Sequence, residues 1–548
     1  ARDANGFGAG LREDRLPPVS SLTYQGLFNQ HWYQTGGPET EQAVSVVAFG
    51  AQTSDISPLP GLGTCDSGDI WAACFLKAKK DGQPRDDTPI DLIVVLDVSG
   101  SMDGPVTCGF NPWKRLQQRD GGASASRLHL AKAALRGLLS KLRGDDGIGL
   151  ATFTTAGEVV QPLTRISDLD RDAFDQRVES LRASGGTTLV AGMQAAVQLR
   201  PPASGPDSAA RRHQRLLFLT DMGDVRPGAL DESVGKLAKE GCYVSFVGIS
   251  SDFDSALAEA VSKHRGCNYF CVTKDDELQK VAVTDFDWNF FPAAFDVEVA
   301  AQSGDFDIVA VYGTPEDARD EEVQTPWHPT THRFYPPQFR AQARALLLCA
   351  HRYRVALPMT AMQRVLDFVS PAVRSIFDVD TAFPSGVADD GSVEGGLVLL
   401  RLRPRGPTSR AGRVRLTLRY RVDGQPPCSS CIDVDVPPPG DAATPKAALR
   451  RGVALQLFVE TCRRLLEAFA CRGAPPDEQA AERADTLLGV ESLLADFEAA
   501  GAEFEALCPG LVAQLQNFAK MARAETERAA KAAQPAKGDA LTMQLLLA

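Results

Sequence analysis

The sequence predicts a doubly wound α/β domain that is inserted into a β-sandwich and followed by an α-helical bundle. Three observations support this fold class. The short apolar run Leu92–Leu96 is typical of a strand buried on both faces of a parallel sheet. Short alternating segments bounded by Gly, Pro and Asp flank this run on both sides and predict sandwich strands. The last hundred residues instead repeat apolar side chains at helical spacing.

The chain begins with an expected arm, residues 1–42, in which Leu22–Phe28 is the one segment with the character of an ordered element. Strands are predicted at Ala43–Gly50 and Ile70–Lys79, and together they form the first part, 43–88, of the sandwich. We expect the arm to pack on the sandwich. An arm that reached another subunit would instead make the protein a component of an assembly.

The α/β domain is predicted over residues 89–283, and polar side chains appear where its first strand ends. Asp97, Ser99 and Ser101 directly follow the apolar run. Ligands of open α/β sheets bind outside the carboxyl ends of the strands. One carboxylate and two hydroxyls there suit a hard divalent cation, because Mg²⁺ and Ca²⁺ take oxygen ligands.

Two later segments supply further oxygen ligands in the order that such a site requires. Ser184-Gly-Gly-Thr-Thr188 follows a helical segment, and the apolar run Leu216–Thr220 ends at Asp221. With these segments, residues from Asp91 to Lys280 resemble a von Willebrand factor type A domain with a metal-ion-dependent adhesion site. Thr187 is preferred to Thr188 as a ligand, because it directly follows the two glycines and stands five residues before Gly192, as in that family.

The resemblance implies direct or water-mediated metal ligands at five positions, and a function in binding. These positions are Asp97, Ser99, Ser101, Thr187 and Asp221. The ion is expected to be Mg²⁺, with Mn²⁺ or Ca²⁺ as alternatives, and its open coordination position would take an Asp or Glu of a partner protein. No general base, nucleophile or phosphate loop stands beside these residues, so we expect no enzyme.

The chain departs from the family pattern in the insertion Asp103–Ser126, which precedes a helix predicted over Arg127–Arg143. The inserted segment either gates the site or supplies partner specificity through Trp113, or it is a tolerated surface insertion. If Asp103 or Asp120 completed the metal shell, the site would be closed by its own chain. The protein would then be a structural subunit of a larger assembly or self-associate, with contacts made by the arm, the tail and the helical bundle.

The second part of the sandwich is predicted over residues 284–440. The order of strands and site is similar to bacterial and plant multidomain type A proteins, but this chain lacks the Cys/His spacing of a RING, so ubiquitin-ligase activity does not carry over. The predicted strands are Ala294–Ala301, Asp307–Tyr312, Gln342–Leu348, Gly395–Leu402, Val414–Val422 and Ile432–Val436.

The helical bundle is predicted over residues 441–533. Its first helix is predicted to begin at Pro445, with Thr444 as the N-cap, since Pro is favoured at the first position of a helix. Gly473 and the prolines at 475 and 476 are predicted to end it. The second is predicted over Asp477–Gly501 and the third over about Cys508–Lys531. The tail, residues 534–548, ends in the apolar segment Ala540–Ala548, which is expected to dock on this protein or on a neighbour.

Composition argues against nucleic acid as a partner and against a membrane span. The 548 residues carry 58 basic and 70 acidic side chains, a net charge of −12, and no basic face is evident, so nucleic acid is disfavoured. Arg401–Arg405 and Arg410–Arg419 alternate with apolar residues and are interpreted as solvated strand faces. No segment reaches the ~18 apolar residues of a membrane span, and a soluble protein is expected.

The twelve cysteines are too sparse for a disulfide framework. Cys428-Ser-Ser-Cys431 is interpreted as a hairpin turn, with redox or zinc chemistry as the weaker alternatives. The absence of an Asn-x-Ser/Thr sequon slightly favours an intracellular protein. The chain starts at Ala1 without a signal-type apolar segment, so we expect a processed protein or a fragment.

Overall fold

The structure is a computed structural model that describes most of the chain. The described residues are 7–8, 11, 16–36, 41–56, 69–105, 126–201, 212–221, 227–249, 264–314, 373–406, 411–438, 446–470 and 476–533. Four sequence predictions therefore lie outside the described residues. These are the strand Gln342–Leu348, the insertion between Pro105 and Ser126 with its Trp113 and Asp120, the helix start Thr444-Pro445, and the apolar tail Ala540–Ala548.

The described residues before the α/β domain include a 3₁₀ helix at Val19–Ser21, two short α-helices and three strands. The ordered element expected at Leu22–Phe28 is a helix, and Thr23 caps it by accepting a hydrogen bond from the Gly26 amide at 3.0 Å. The elements are α1 (Tyr24–Phe28), β1 (Trp32–Tyr33), β2 (Val44–Gln52), α2 (Thr53–Ile56) and β3 (Ile70–Ala78).

The α/β domain is built on a six-stranded mixed sheet in the order β6-β5-β4-β7-β8-β9. All neighbours are parallel except β5 and β6, which are antiparallel. Its strands are β4 (Ile90–Asp97), β5 (Gly147–Phe153), β6 (Gly157–Arg165), β7 (His213–Thr220), β8 (Cys242–Ile249) and β9 (Asn268–Val272). Its helices are α3 (Arg127–Lys141), α4 (Arg171–Ser180), α5 (Leu189–Leu199), α6 (Pro227–Lys239), α7 (Asp275–Gln279) and α8 (Phe286–Asn289).

Helices cover both faces of this sheet, as the continuous apolar run in β4 predicts. Leu92, Val94 and Leu96 join one buried cluster with side chains of α3. Ile93 and Val95 point the other way, because side chains alternate along a strand, and they join a second cluster with side chains of α5 and α6. The doubly wound arrangement follows from these two cores.

The linker Asp81–Thr88, which leads from β3 to β4, is held by a buried ion pair with Asp146. Arg85 Nη1 donates to Asp146 Oδ1 at 3.2 Å, and both side chains are 1% exposed. The Ile90 amide also donates to Asp146, at 3.0 Å. Burial alone would raise the pKa of Asp146, but the hydrogen bonds from Arg85, Arg143 and Ile90 hold that pKa below its ordinary value. The linker is thereby fixed to the first residue of β4.

Eight of the remaining described strands form two four-stranded antiparallel sheets, in the orders β12-β10-β15-β16 and β11-β14-β3-β2, and the other two, β1 and β13, pair antiparallel with each other. Side chains from the facing sides of both sheets share one buried cluster, to which β3 contributes Ile70, Ala72 and Cys74. The strands are β10 (Ala294–Ser303), β11 (Phe306–Tyr312), β12 (Val373–Ala382), β13 (Val393–Glu394), β14 (Leu397–Pro404), β15 (Gly412–Arg421) and β16 (Cys428–Val436).

Three helices end the described chain, and the first of them packs on the second face of the sheet that contains β3, with the other two stacked beyond it. They are α9 (Lys446–Ala470), α10 (Pro476–Leu507) and α11 (Leu511–Ala533), so the predicted helical region is confirmed. The alternate residues of β3, Trp71, Ala73 and Phe75, share a buried cluster with all three helices. The second helix was predicted to end at Gly501, and the structure has a kink there, with φ 58° and ψ −137°.

Three predictions require correction. β12, Val373–Ala382, was missed, and Cys428 and Cys431 lie within β16 rather than in a turn. Arg413 and Arg415 are exposed and pair with Asp435 and Asp433, as expected for a solvated face. Arg401 differs, because its side chain is 18% exposed and its Nη2 lies 2.5 Å from the buried Asp69 Oδ2.

None of the helices in the described part of the chain is long and apolar enough to cross a membrane.

Gly192→Ala is expected to destabilise the α/β domain. The added Cβ would lie 2.6 Å from Phe153 Cδ1 and 3.1 Å from Val95 Cγ1, so α5 would have to move away from β4 and β5. Overpacking of this kind costs about 1–3 kcal/mol of unfolding free energy, which the midpoint of urea unfolding measures. Gly144→Ala, where a Cβ meets open space, is the control. A Gly192→Ala midpoint equal to that of wild type would contradict this packing.

Candidate metal centre

Three chain segments meet at the carboxyl end of the two central strands of the six-stranded sheet. Asp97 is the last residue of β4, and Asp221 directly follows β7. The third segment, Ser184–Thr188, precedes α5. The two central strands are parallel neighbours, so their ends bring the two carboxylates to the same edge of the sheet.

Hydrogen bonds connect four of the five predicted ligands. Asp97 Oδ1 accepts from the Ser99 amide at 2.8 Å. The Ser99 and Ser101 hydroxyl oxygens lie 3.0 Å apart, and Ser101 Oγ donates to Asp221 Oδ1 at 3.1 Å. Asp97, Ser99 and Asp221 are buried, whereas Ser101 is exposed. The row of oxygen atoms therefore runs from the end of the buried sheet to solvent.

Thr187 reaches this edge through the backbone of its loop. The Gly100 amide donates to the Gly185 carbonyl at 3.0 Å, and the Ser184 amide donates to the Val98 carbonyl at 2.8 Å. Gly185 has a φ of +74°, which glycine adopts without the penalty of a Cβ. Among the described residues, the half-buried Thr187 makes no hydrogen bond to the other four predicted ligands. The loop is fixed to the turn at Ser99, and Thr187 lies within it.

Two residues that the sequence did not single out contact the carboxylates. Thr220 Oγ1 donates to Asp97 Oδ2 at 2.6 Å, and Arg127 Nη1 donates to Asp221 Oδ2 at 2.7 Å. The sequence could have indicated Thr220, since this hydroxyl lies between the apolar run Leu216–Leu219 and Asp221. Arg127 had none, because 94 residues separate it from Asp221. Asp103, one of the two acidic residues that would close the site in the alternative reading, is exposed.

The electrostatics of the site favour a bound cation. Burial raises the pKa of Asp97, and the nearby Asp221 adds to the rise, while hydrogen bonds from Thr220 and Ser99 oppose it. A buried carboxylate next to a second carboxylate is stabilised by a positive charge. The donors are all oxygens, which fits a hard divalent ion. Within the described ranges no group of three or more His, Cys, Asp or Glu could hold a metal, so this site with two carboxylates is sparse.

Residues 91–283 match the family model of the von Willebrand factor type A domain. This segment is a von Willebrand factor type A domain. The resemblance predicted over Asp91–Lys280 is thus confirmed for the domain. Domains of this family are generally interaction modules rather than enzymes, and they often bind through a divalent metal ion.

Part of the chain is similar to a curated relative. Over 224 residues the chain is 25% identical to the uncharacterized protein YfbK of Escherichia coli strain K12, a match that covers 40% of this chain and 34% of that protein. The match thus spans about a third of the relative's length.

Solved structures similar to this chain include three proteins with low identity. A von Willebrand factor type A protein from Catenulispora acidiphila is 13% identical, with a TM-score of 0.43 and coverage of 86% of this chain and 89% of that one. The ArnB paralog VWA2 from Sulfolobus acidocaldarius is 10% identical, with a TM-score of 0.36 and coverage of 88% and 98%. Proximal thread matrix protein 1 from the mussel byssus, in a zinc-occupied form, is 15% identical, with a TM-score of 0.27 and coverage of 36% and 47%.

Asp97→Asn is expected to stabilise the metal-free type A domain at pH 7.5. The raised pKa of Asp97 means that the folded protein binds its proton at a higher pH than the unfolded chain, so wild type loses stability as pH rises through this window. The advantage of the variant is largest above the raised pKa and shrinks toward the ordinary aspartate value near ~4.

Urea unfolding in EDTA at pH 5 and pH 7.5 measures this difference. The asparagine amide can keep both contacts, because its oxygen accepts from Ser99 and the Thr220 hydroxyl can accept from its NH₂ group. The control is Asp172→Asn, at an exposed position in the first turn of α4. Its difference in unfolding free energy from wild type should be similar at the two pH values. A variant less stable than wild type at pH 7.5 would contradict the desolvation of Asp97.

Proposed function

We propose that this protein binds a partner protein through a divalent cation held by its type A domain. The ligands are Asp97, Ser99, Ser101, Thr187 and Asp221, directly or through water. The observation that carries the proposal is the hydrogen-bonded row from Asp97 to Asp221, which brings two carboxylates and two hydroxyls to the carboxyl end of the central strands. An Asp or Glu of the partner completes the coordination from solvent.

The donor set explains why an added carboxylate would bind. Mg²⁺ keeps several waters and accepts one or two carboxylates rather than a full protein cage. With few protein carboxylates, the ion keeps a positive charge and exchangeable waters on the exposed side of the site, next to Ser101. Mg²⁺ is the proposed ion, with Mn²⁺ and Ca²⁺ as alternatives. The mussel byssus protein, whose site is described as occupied by zinc, adds Zn²⁺ to the ions worth testing.

A catalytic function has little support in the type A domain. Cys242 and Cys267 lie in the core of the type A domain, and burial raises the pKa of Cys242 to about 11 and that of Cys267 to about 12. Both thiols therefore stay protonated near neutral pH and are poor nucleophiles. The two carboxylates are connected to hydroxyls and to Arg127 rather than to an acid–base pair.

The second candidate function is that of a structural subunit whose site is closed by its own chain. The buried pair of Arg127 and Asp221 favours this reading, since the arginine occupies one carboxylate oxygen. The arm argues against it. The ring of Phe7 packs between Phe458 and Phe518 of the helices, with centroid distances of 5.9 and 5.6 Å. This part of the arm is used within its own chain.

We also propose that the two four-stranded sheets form one sandwich, 43–88 and 284–440, into which the type A domain is inserted. Their shared buried cluster supports this arrangement. The domain boundaries, with an arm at 1–42, the type A domain at 89–283, the bundle at 441–533 and a tail at 534–548, remain part of the proposal.

Isothermal titration of Mg²⁺ into EDTA-stripped protein tests the metal site. Wild type should bind one ion per chain. Asp97→Ala should weaken binding by more than the roughly 10–100-fold that changes outside the ligand set cost, because it removes a proposed ligand. Thr187→Ala tests the one ligand that no hydrogen bond connects to the others, and it should also weaken binding.

The matched control is Asp435→Ala, which removes a carboxylate that is 73% exposed on β16, in a different sheet. It should bind Mg²⁺ as wild type does. The same titration is repeated with Mn²⁺, Ca²⁺ and Zn²⁺. A folded wild-type protein that binds none of these ions and no Mg²⁺ would overturn the proposal. Where binding is found, capture of a candidate partner should disappear in EDTA and return when the metal is restored.

A further inference from the structure

Arg127 is a buried positive charge inside the proposed metal site. It is the first residue of α3, and its side chain is 10% exposed, whereas that of Asp221 is 3% exposed. Arg127 Nη1 donates to Asp221 Oδ2 at 2.7 Å and to the Ser101 carbonyl at 3.3 Å. One guanidinium therefore contacts two of the three segments that build the site.

The two oxygens of Asp221 are divided between different partners. Oδ2 receives Arg127, whereas Oδ1 receives the Ser101 hydroxyl at 3.1 Å. Arg127 does not use the two-pronged geometry that guanidinium and carboxylate often adopt. Its buried Nε has no hydrogen-bond partner in the described part of the chain. The pairing thus leaves Oδ1 beside the proposed ligands Ser101 and Ser99, where a cation would sit.

We infer that Arg127 is a fixed positive charge that lowers the affinity of the site for its metal ion. The same charge raises the affinity of the metal-loaded site for a partner carboxylate. The inference rests on the proposed function, because it concerns the same ion. Asp97 and Asp221 contribute −2 and Arg127 contributes +1, so the site carries −1 before metal binding. A divalent cation brings the site to +1, which attracts an anionic side chain.

Removal of the arginine charge changes both affinities, in opposite directions. Without Arg127 the metal-loaded site is neutral, and the cation meets two uncompensated carboxylates. Metal affinity should therefore rise, and affinity of the loaded site for a carboxylate should fall. A residue that merely supported the fold would weaken both when replaced. The opposite signs separate an electrostatic role from a structural one.

The test uses the full chain, stripped with EDTA, and two titrations. Binding of Mn²⁺ is followed through the electron paramagnetic resonance signal of the free ion. Acetate is then added to the Mn²⁺-loaded protein as a carboxylate probe, and the relaxation rate of water protons reports the displacement of metal-bound water. Arg127→Met should bind Mn²⁺ about tenfold more tightly and acetate about tenfold more weakly, as expected for a nearby charge at the effective dielectric of a protein.

Two further variants complete the design. Arg127→Gln makes the same charge change and keeps a donor for Asp221 Oδ2, so it carries the test if Arg127→Met does not fold. Arg136→Met is the matched control on the same helix. Its guanidinium is 38% exposed and pairs with Asp175 and Glu179 at 2.5 and 2.6 Å, so both affinities should equal those of wild type.

The outcomes separate this inference from the function on which it rests. If wild type binds Mn²⁺ and acetate but the Arg127 variants lose both or change neither, the inferred role of Arg127 is wrong and the proposed function stands. If wild type binds no Mn²⁺, or binds it without taking acetate, metal-dependent carboxylate binding fails and the role of Arg127 fails with it. Opposite shifts in the two Arg127 variants would support the inference.

Discussion

Strand β4 is buried along its whole length, from Ile90 to Asp97, because helices cover both faces of the sheet in which it lies. A polar side chain in the middle of such a strand would be costly to bury without a partner, so polar groups are confined to its ends. At the amino end, Asp146 receives the Ile90 amide and the linker residue Arg85. At the carboxyl end, Asp97 begins the row of oxygens. The burial of β4 therefore explains why the linker contacts and the candidate ligands lie at opposite ends of this strand.

The rest of the chain follows a similar rule in β3. Its alternate side chains face two different cores, one shared with the opposing sheet and the other with the C-terminal helices and the arm. The type A domain is therefore joined, through the Arg85 linker, to a sheet that is packed on both sides. Support of this kind suits the proposed binding site, whose candidate ligands come from three separate segments, since their relative positions depend on the scaffold rather than on local contacts.

Much of this organisation could be predicted from residue patterns. The apolar run of β4, the alternation in β15 and the helical spacing after residue 444 each reflect burial, which is repeated at the period of the element. β12 was missed because its sequence, Val373–Ala382, includes charged residues and borders a long region without a clear pattern. The two cysteines at 428 and 431 suggested a turn, but cross-strand pairing with β15 extended the strand through them.

The sequence by itself determined the type A domain and the positions of Asp97, Ser99, Ser101, Thr187 and Asp221 as candidate ligands, because strand ends and glycine turns are local features with a recognisable spacing. Only the tertiary structure decided what surrounds the carboxylates. Thr220 and Arg127 contact Asp97 and Asp221 through the pairing of β4 with β7 and the packing of α3, and contacts between distant segments leave no period in a sequence. The charge that a bound ion would meet is therefore a property of the fold.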